Sequence, residues 1–168
     1  MSAKLMKDAA SLDAMLARRH SCRGFLPRAV PRPVVEHVLA SAGRSASWCN
    51  AQPWHAYVLS GAPLDKLRAD LMERATSGVP ATPELDWPGY TGVYRERRRE
   101  CGWSLYKAVG VGKGDRERSA RQALENFRMF GAPHLALLTS HALLGTHGVM
   151  DCGAWVSTRS HSCGSAPR

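Results

Sequence analysis

No apolar run in this chain approaches the roughly 20 residues that a helix needs to cross a bilayer. Residues 1–16, MSAKLMKDAASLDAML, also lack the uninterrupted apolar core of a signal peptide. The expectation is a soluble, cytoplasmic protein with no membrane partner. Paired cysteines are missing too. Cys22, Cys49, Cys101, Cys152 and Cys163 are scattered and odd in number, and none forms a CxxC pair. That argues against a zinc ribbon or a disulfide framework and for reduced, mostly structural thiols. Cys49 sits in a loop, but no acidic or Asn residue is identifiable to orient a histidine for it as a nucleophile. The seven histidines (20, 37, 55, 134, 141, 147 and 161) contain no HExxH or similar spacing, which speaks against a metal site. Gly110-Val111-Gly112-Lys113-Gly114 lacks the length and the Ser/Thr of a phosphate-binding P-loop. No internal repeat is visible.

Acidic residues are also in short supply. There are 14 Asp+Glu against 23 Lys+Arg, for a net charge of +9 and a pI near 9.8. Such a balance suits an anionic partner. No helix-turn-helix, zinc-finger or RNA-binding signature accompanies it, so the expectation is small anionic ligands rather than nucleic acid. The one dense cluster, Arg95, Arg97, Arg98 and Arg99, is interleaved with Glu96 and Glu100 and reads as a solvated helix face.

What remains is 168 residues, 44% of them hydrophobic, enough for one globular domain with a core and too few for two. Leu12, Met15 and Leu16 recur at helical spacing between Ala9 and Arg19. A second helix opens at Pro31–Pro33, with Val34, Val35, Val38, Leu39 and Ala42 as its apolar stripe. After a loop from Arg44 to Pro53, residues 54–60 read as a strand closed by Gly61. Leu64, Leu67, Leu71 and Ala75 predict a third helix ending near Gly78, and the proline- and glycine-rich stretch 78–92 an irregular excursion. Residues 94–108 read as a charged helix, and Ala120, Ala123, Leu124 and Phe127 predict another reaching Gly131. Residues 134–140 suit a central strand. A last helix opens around Val149 and Asp151, with Ala154 and Trp155 beginning its apolar face, and periodicity stops after Thr158. Periodicity alone therefore gives a mixed α and β domain.

Two segments carry chemistry. Arg18-Arg19-His20-Ser21-Cys22-Arg23-Gly24-Phe25 joins three guanidinium forks to a hydroxyl and exposed backbone N–H groups, which suits a phosphate. A basic helix C-terminus complementing the helix dipole has the same composition. Ser45-Ala46-Ser47-Trp48-Cys49-Asn50-Ala51-Gln52-Pro53-Trp54 has small residues that permit close approach to a planar ligand. Asn50 and Gln52 can hydrogen-bond a ring edge, and Trp48 can stack on one. A loop anchored by Pro53 and Trp54 reads the same way.

In this order and separation the two segments resemble the FMN-dependent nitroreductase family, which carries an Arg-Arg-Ser-x-Arg-x-Phe motif and then a Pro-Ser-x-x-Asn-x-Gln-Pro-Trp loop. Asn126-Phe127-Arg128-Met129-Phe130-Gly131-Ala132-Pro133-His134 and Gly148-Val149-Met150-Asp151-Cys152-Gly153-Ala154-Trp155 are further matching blocks. Residues 94–103, with Gly112 to Arg116 downstream, resemble the branch that includes nitrobenzoate reductases.

The resemblance covers about residues 12–158 and implies an α+β fold with a central, mainly antiparallel sheet flanked by helices. It implies an intertwined homodimer with FMN at the interface. The implied activity is an oxidoreductase using NAD(P)H to reduce nitroaromatic or quinone-like acceptors by a ping-pong mechanism. Carried over by position, Arg19, His20, Ser21 and Arg23 are implied FMN contacts. Arg19 and Ser21 would serve the phosphate and ribityl end, and Arg23 the N1/C2 edge, where positive charge favours reduction. Ala46, Ser47, Trp48 and Asn50 match the loop that reaches the flavin from the partner subunit, and Asn126 matches a polar position near it.

Ala46 stands where the family has proline, and Trp48 where it has a small residue. In the family, the helix begun at Asp151 continues through an apolar core to a strand-loop, a distal basic FMN contact and a partner-embracing arm. Residues 159–168 match none of these. The resemblance thus implies an incomplete nitroreductase-like domain at 1–158, its C-terminal part missing, and a non-family tail at 159–168. Two alternatives follow. One is a truncated, inactive relative. The other is a basic nucleic-acid-binding protein, which predicts salt-dependent affinity and no flavin colour.

Overall fold

The structure, a computed structural model, describes residues 3–85 and 89–162. Pro88 of the expected excursion, Cys163, and the end of the expected tail at 163–168 lie outside the described residues. Helices dominate, with one small antiparallel sheet: α1 (Ala3–Arg18), α2 (Arg32–Ala42), β1 (His55–Ser60), α3 (Ala62–Thr76), α4 (Gly92–Ala108), α5 (Arg116–Leu124), β2 (His134–Thr139) and α6 (Gly145–Ser162). The mixed α+β class is therefore as expected. The chain forms two compact units, one of residues up to Leu64 together with those from Ala132 on, the other Asp65–Gly131.

In the first unit β1 and β2 pair antiparallel, with His55 opposite Thr139 and Ser60 opposite His134. Val58 and Leu59 of β1 face Ala136 and Leu135 of β2, β-branched and aliphatic cross-strand neighbours of the kind that hold a ladder. The entry to β2 is tied back by His134, whose Nε2 accepts from Val30 N–H at 2.8 Å. α2 begins as expected, with Pro33 in its first turn where a missing N–H costs nothing. It packs against α6. Among the described residues, Ala42 at 0% exposure, Gly148 and Trp155 at 2% are the buried residues these two helices contribute.

Several boundaries differ from the periodicity reading. α1 begins at Ala3 rather than Ala9, because the Ala- and Lys-rich stretch before the apolar stripe is itself helix-favouring. α6 begins at Gly145 and runs four residues past Thr158. Its start has weak local propensity and is set by packing. A Cβ built on Gly148 would stand 2.8 Å from Ser140 Oγ and 3.0 Å from Leu144 Cβ, whereas one on Gly153 meets nothing within 4 Å. Gly148→Ala is expected to lower stability by up to about 2 kcal/mol, overpacking outweighing a helix-propensity gain of about 1 kcal/mol. Gly153→Ala gains about 0.5–1 kcal/mol on the same propensity ground. Denaturant midpoints of the two variants moving in opposite directions check this.

In the second unit α5 is capped by Asp115, whose Oδ1 accepts from Arg118 N–H at 3.0 Å. It ends at Leu124, short of the expected Gly131: the backbone goes over to i→i−3 hydrogen bonds at Glu125, Asn126 and Phe127, and Met129 and Phe130 then take left-handed conformations (φ 51° and 52°) that no helix continues through. Among the described residues, 78–85 and 89–91 hold no helix or strand, as an excursion should. Arg95, Arg97, Arg98 and Arg99 are exposed on α4, and among the described residues none is ion-paired, so the cluster is a solvated face as read.

Candidate functional site

The basic segment leaves the C-terminus of α1 at Arg18, where Arg19 N–H closes the last turn on Leu16 O at 3.1 Å. From there the chain has no regular structure as far as α2, and Arg19, His20, Ser21 and Arg23 are all exposed. Their side chains are barely committed within the chain. His20 Nδ1 lies 2.9 Å from Arg18 O, and one Arg23 nitrogen lies 3.5 Å from Ser21 O. Arg19 has no side-chain hydrogen bond or ion pair among the described residues. Cys22 Sγ points away from this set to Gly24 O at 3.1 Å.

The loop between α2 and β1 is built differently, on strain and anchors. Residues Trp48–Asn50 make a single 3-10 turn, and Cys49, Asn50 and Gln52 all have positive φ (48°, 57° and 46°). A non-glycine residue in this region costs about 1–2 kcal/mol, so neighbouring contacts must hold the conformation. Internally, Ser47 Oγ accepts from Gln52 N–H at 2.9 Å, and Gln52 Nε2 donates to Asn50 Oδ1 at 2.9 Å. Externally, one stripe of α6 holds the loop. Ser45 Oγ lies 2.7 Å from Thr158 Oγ1, both carboxylate oxygens of Asp151 lie 3.2 Å from Trp48 N, and the Trp48 and His147 rings stack at 5.6 Å with a 30° tilt. Positions 147, 151 and 158 recur at i, i+4 and i+11, one face of a helix. Pro53 is buried and Trp54 half-buried, so the anchored-loop reading also holds. Trp48 remains 67% exposed.

The structure thus gathers Ser47, Trp48 and Asn50 in one braced turn, with Ala46 exposed beside them. It forms no hydrogen bond, among the described residues, between this turn and Arg19–Arg23. Asn126 belongs to the other unit, exposed just past α5, with Nδ2 donating to Ala123 O at 2.9 Å. Sequence reasoning missed Asp151, His147 and Thr158 as partners of the loop. One signal was available: Asp151 is the only acidic residue in α6. Next to it, burial pushes the Cys152 thiol up despite a hydrogen bond with Ser140, with the Asp151 carboxylate adding to the rise.

An open concavity of ≈ 440 Å³ in the second unit is lined by Arg68, Ala69, Met72, Glu125, Arg128 and Gly131, none of them an expected site residue. Its charged groups are engaged within the unit: Arg68 with Asp65 at 2.8 Å and with Arg128 O at 3.2 Å, and Arg128 with Glu125 at 3.6 Å. Among the described residues no group of three or more His, Cys, Asp and Glu is placed to hold a metal. No described helix is long and apolar enough to cross a membrane.

The nitroreductase NfnB of Mycolicibacterium smegmatis (strain ATCC 700084 / mc(2)155) is 31% identical over 170 residues, covering 95% of this chain and 71% of that protein. A 4-nitrobenzoate reductase of Pseudomonas putida is 32% identical over 147 residues, covering 87% of this chain and 64% of that protein. Among solved structures, FMN-dependent NfnB from Mycobacterium smegmatis in complex with NADPH superposes with a TM-score of 0.82 at 30% identity, over 92% of this chain and 70% of that one. FMN- and NADPH-dependent NfnB from Sphigopyxis sp. strain HMH gives 0.82 at 28% identity, over 89% and 69%. The sequence pattern of the Nitroreductase family itself matches residues 16–159, a span that takes in the basic segment, the braced loop and α6 as far as Arg159, and the chain belongs to that family.

Proposed function

We propose that this chain acts as an FMN-dependent oxidoreductase that uses NAD(P)H to reduce small nitroaromatic or quinone-like acceptors by a ping-pong mechanism. The proposal includes a cytoplasmic homodimer. The observation that carries it is the pairing of an exposed, uncommitted cationic segment with a braced, exposed polar turn, in a chain whose relatives are named for FMN, NADPH and nitro compounds.

The donor set fits FMN. A phosphate needs cationic forks and hydroxyls not already engaged, and Arg19 and Ser21 supply them. A flavin ring edge needs amide and cationic donors. Arg23, Ser47 and the free end of the Asn50 carboxamide supply these, with His20 as a further polar contact and Ala46 leaving room for close approach. When bound, FMN supplies the hydride chemistry. The chain's part is to bind and orient. Arg19 and Ser21 hold the phosphate end, Arg23 balances negative charge at the ring edge, and the exposed indole of Trp48 offers a flat face to a planar acceptor.

Dimerisation is supported by α1, which leaves Leu12, Met15 and Leu16 between 39% and 50% exposed along one stripe. An apolar stripe of this kind marks an interaction surface. Initial rates at varied NADPH and 4-nitrobenzoate test the reaction. Parallel double-reciprocal lines are expected with FMN present, and intersecting lines would refute the ping-pong order.

A further inference from the structure

Nothing in the family motifs explains why the strained turn at 48–52 holds its shape. We infer that Asp151 is a positioning residue for the candidate flavin site, acting through the backbone of Trp48. The inference rests on the reading that this turn borders FMN.

Three non-glycine residues in five positions, Cys49, Asn50 and Gln52, take left-handed backbone conformations. Such a turn persists only where its surroundings over-determine it. The hydrogen bonds within the loop involve Ser47, Asn50 and Gln52 and leave the first residue of the 3-10 turn without an internal acceptor for its N–H. Asp151 supplies that acceptor. Its two oxygens stand equidistant from Trp48 N at 3.2 Å, so the N–H is shared across the carboxylate fork. A charged acceptor makes the stronger kind of hydrogen bond. One turn earlier on the same helix, His147 lies against the Trp48 indole. Backbone and side chain of one residue are thus gripped by positions i and i+4 of α6. The grip sets the direction in which Trp48 and Asn50 leave the turn.

The test compares Asp151→Ala, which removes the acceptor, with Asp151→Asn, which keeps one carboxamide oxygen in the same place. Two readouts are taken on the full chain: amide hydrogen exchange at Trp48–Gln52, and FMN affinity from quenching of flavin fluorescence. Asp151→Ala is expected to speed exchange in the turn and to weaken FMN binding, each by about tenfold, as befits one hydrogen bond to a charged group. Exchange in β2 should stay unchanged. Asp151→Asn should restore both to within about threefold, since a neutral acceptor recovers most of a hydrogen bond. If both variants lose protection equally in the turn and in β2, the residue is merely structural and the inference fails. It fails equally if Asp151→Ala loosens the turn without changing FMN affinity, or leaves the turn as protected as before. If the unmodified chain takes up no FMN, the proposed function is what falls. In that case the Asp151 role is upheld or overturned by whether Asp151→Ala alone speeds exchange in the turn.

Discussion

Replacing Arg19 with alanine is expected to lower FMN affinity by about 10–100-fold while leaving the fold intact. A charge-assisted hydrogen bond is worth about 1.5–3 kcal/mol, and each 1.4 kcal/mol is a factor of ten in binding. On the proposed reading Arg19 would bring that full value to a phosphate, because it has no side-chain partner of its own among the described residues and no internal ion pair must break first. Its exposure makes the stability change small, within about 0.5 kcal/mol. Arg19→Lys recovers only part of the affinity, since an ammonium keeps the charge and loses the planar fork. Arg98→Ala on α4 is the matched control, with the same charge lost from a solvated face and no effect on FMN. Titrating each variant with FMN checks all three statements. Equal losses for Arg19→Ala and Arg98→Ala would show that net charge alone attracts the cofactor.

Trp155→Ala has the largest expected effect on stability, about 3–5 kcal/mol, a large share of what a domain of this size holds. Trp155 is 2% exposed on the helix that packs against α2 and braces the loop. Its loss combines the transfer energy of a large side chain with the cavity left behind. The measured quantity is the denaturant midpoint at constant slope. Trp48→Ala separates burial from residue type. With its indole 67% exposed, Trp48 can be truncated at little cost in stability.

The helices were legible wherever apolar residues keep a 3.6-residue period. α2 and α3 carry such stripes, and the expected elements lie within two residues of those found. Leu64 and Trp155, expected on apolar faces, are among the most buried residues. Boundaries set by tertiary contact were not legible. The start of α6 depends on Gly148 seating against Ser140, and nothing in Gly145 to Gly148 announces a helix. The stretch from Glu125 to Gly131 leaves the helix through i→i−3 turns and left-handed conformations at Met129 and Phe130, which their side chains do not favour.

The candidate site divides in the same way. Its residue types were readable from two short motifs, because phosphate and ring recognition demand particular donors. Its shape was not. The positive φ angles of Cys49, Asn50 and Gln52 are held by hydrogen bonds and by contacts about 100 residues away in sequence, with Asp151 and His147. No local pattern encodes a partner at that distance. The cationic cluster at 95–99, prominent in the sequence, lies on an exposed helix of the second unit.

The central claim is that this chain binds FMN and delivers electrons to it from NAD(P)H. The most direct measurement is the visible spectrum of the purified protein after incubation with FMN and removal of excess, followed by anaerobic addition of NADPH. The account predicts flavin absorbance retained with the protein and bleached by NADPH, with colour restored by 4-nitrobenzoate. A colourless protein that retains no FMN, or a flavin that NADPH leaves oxidised, would contradict it.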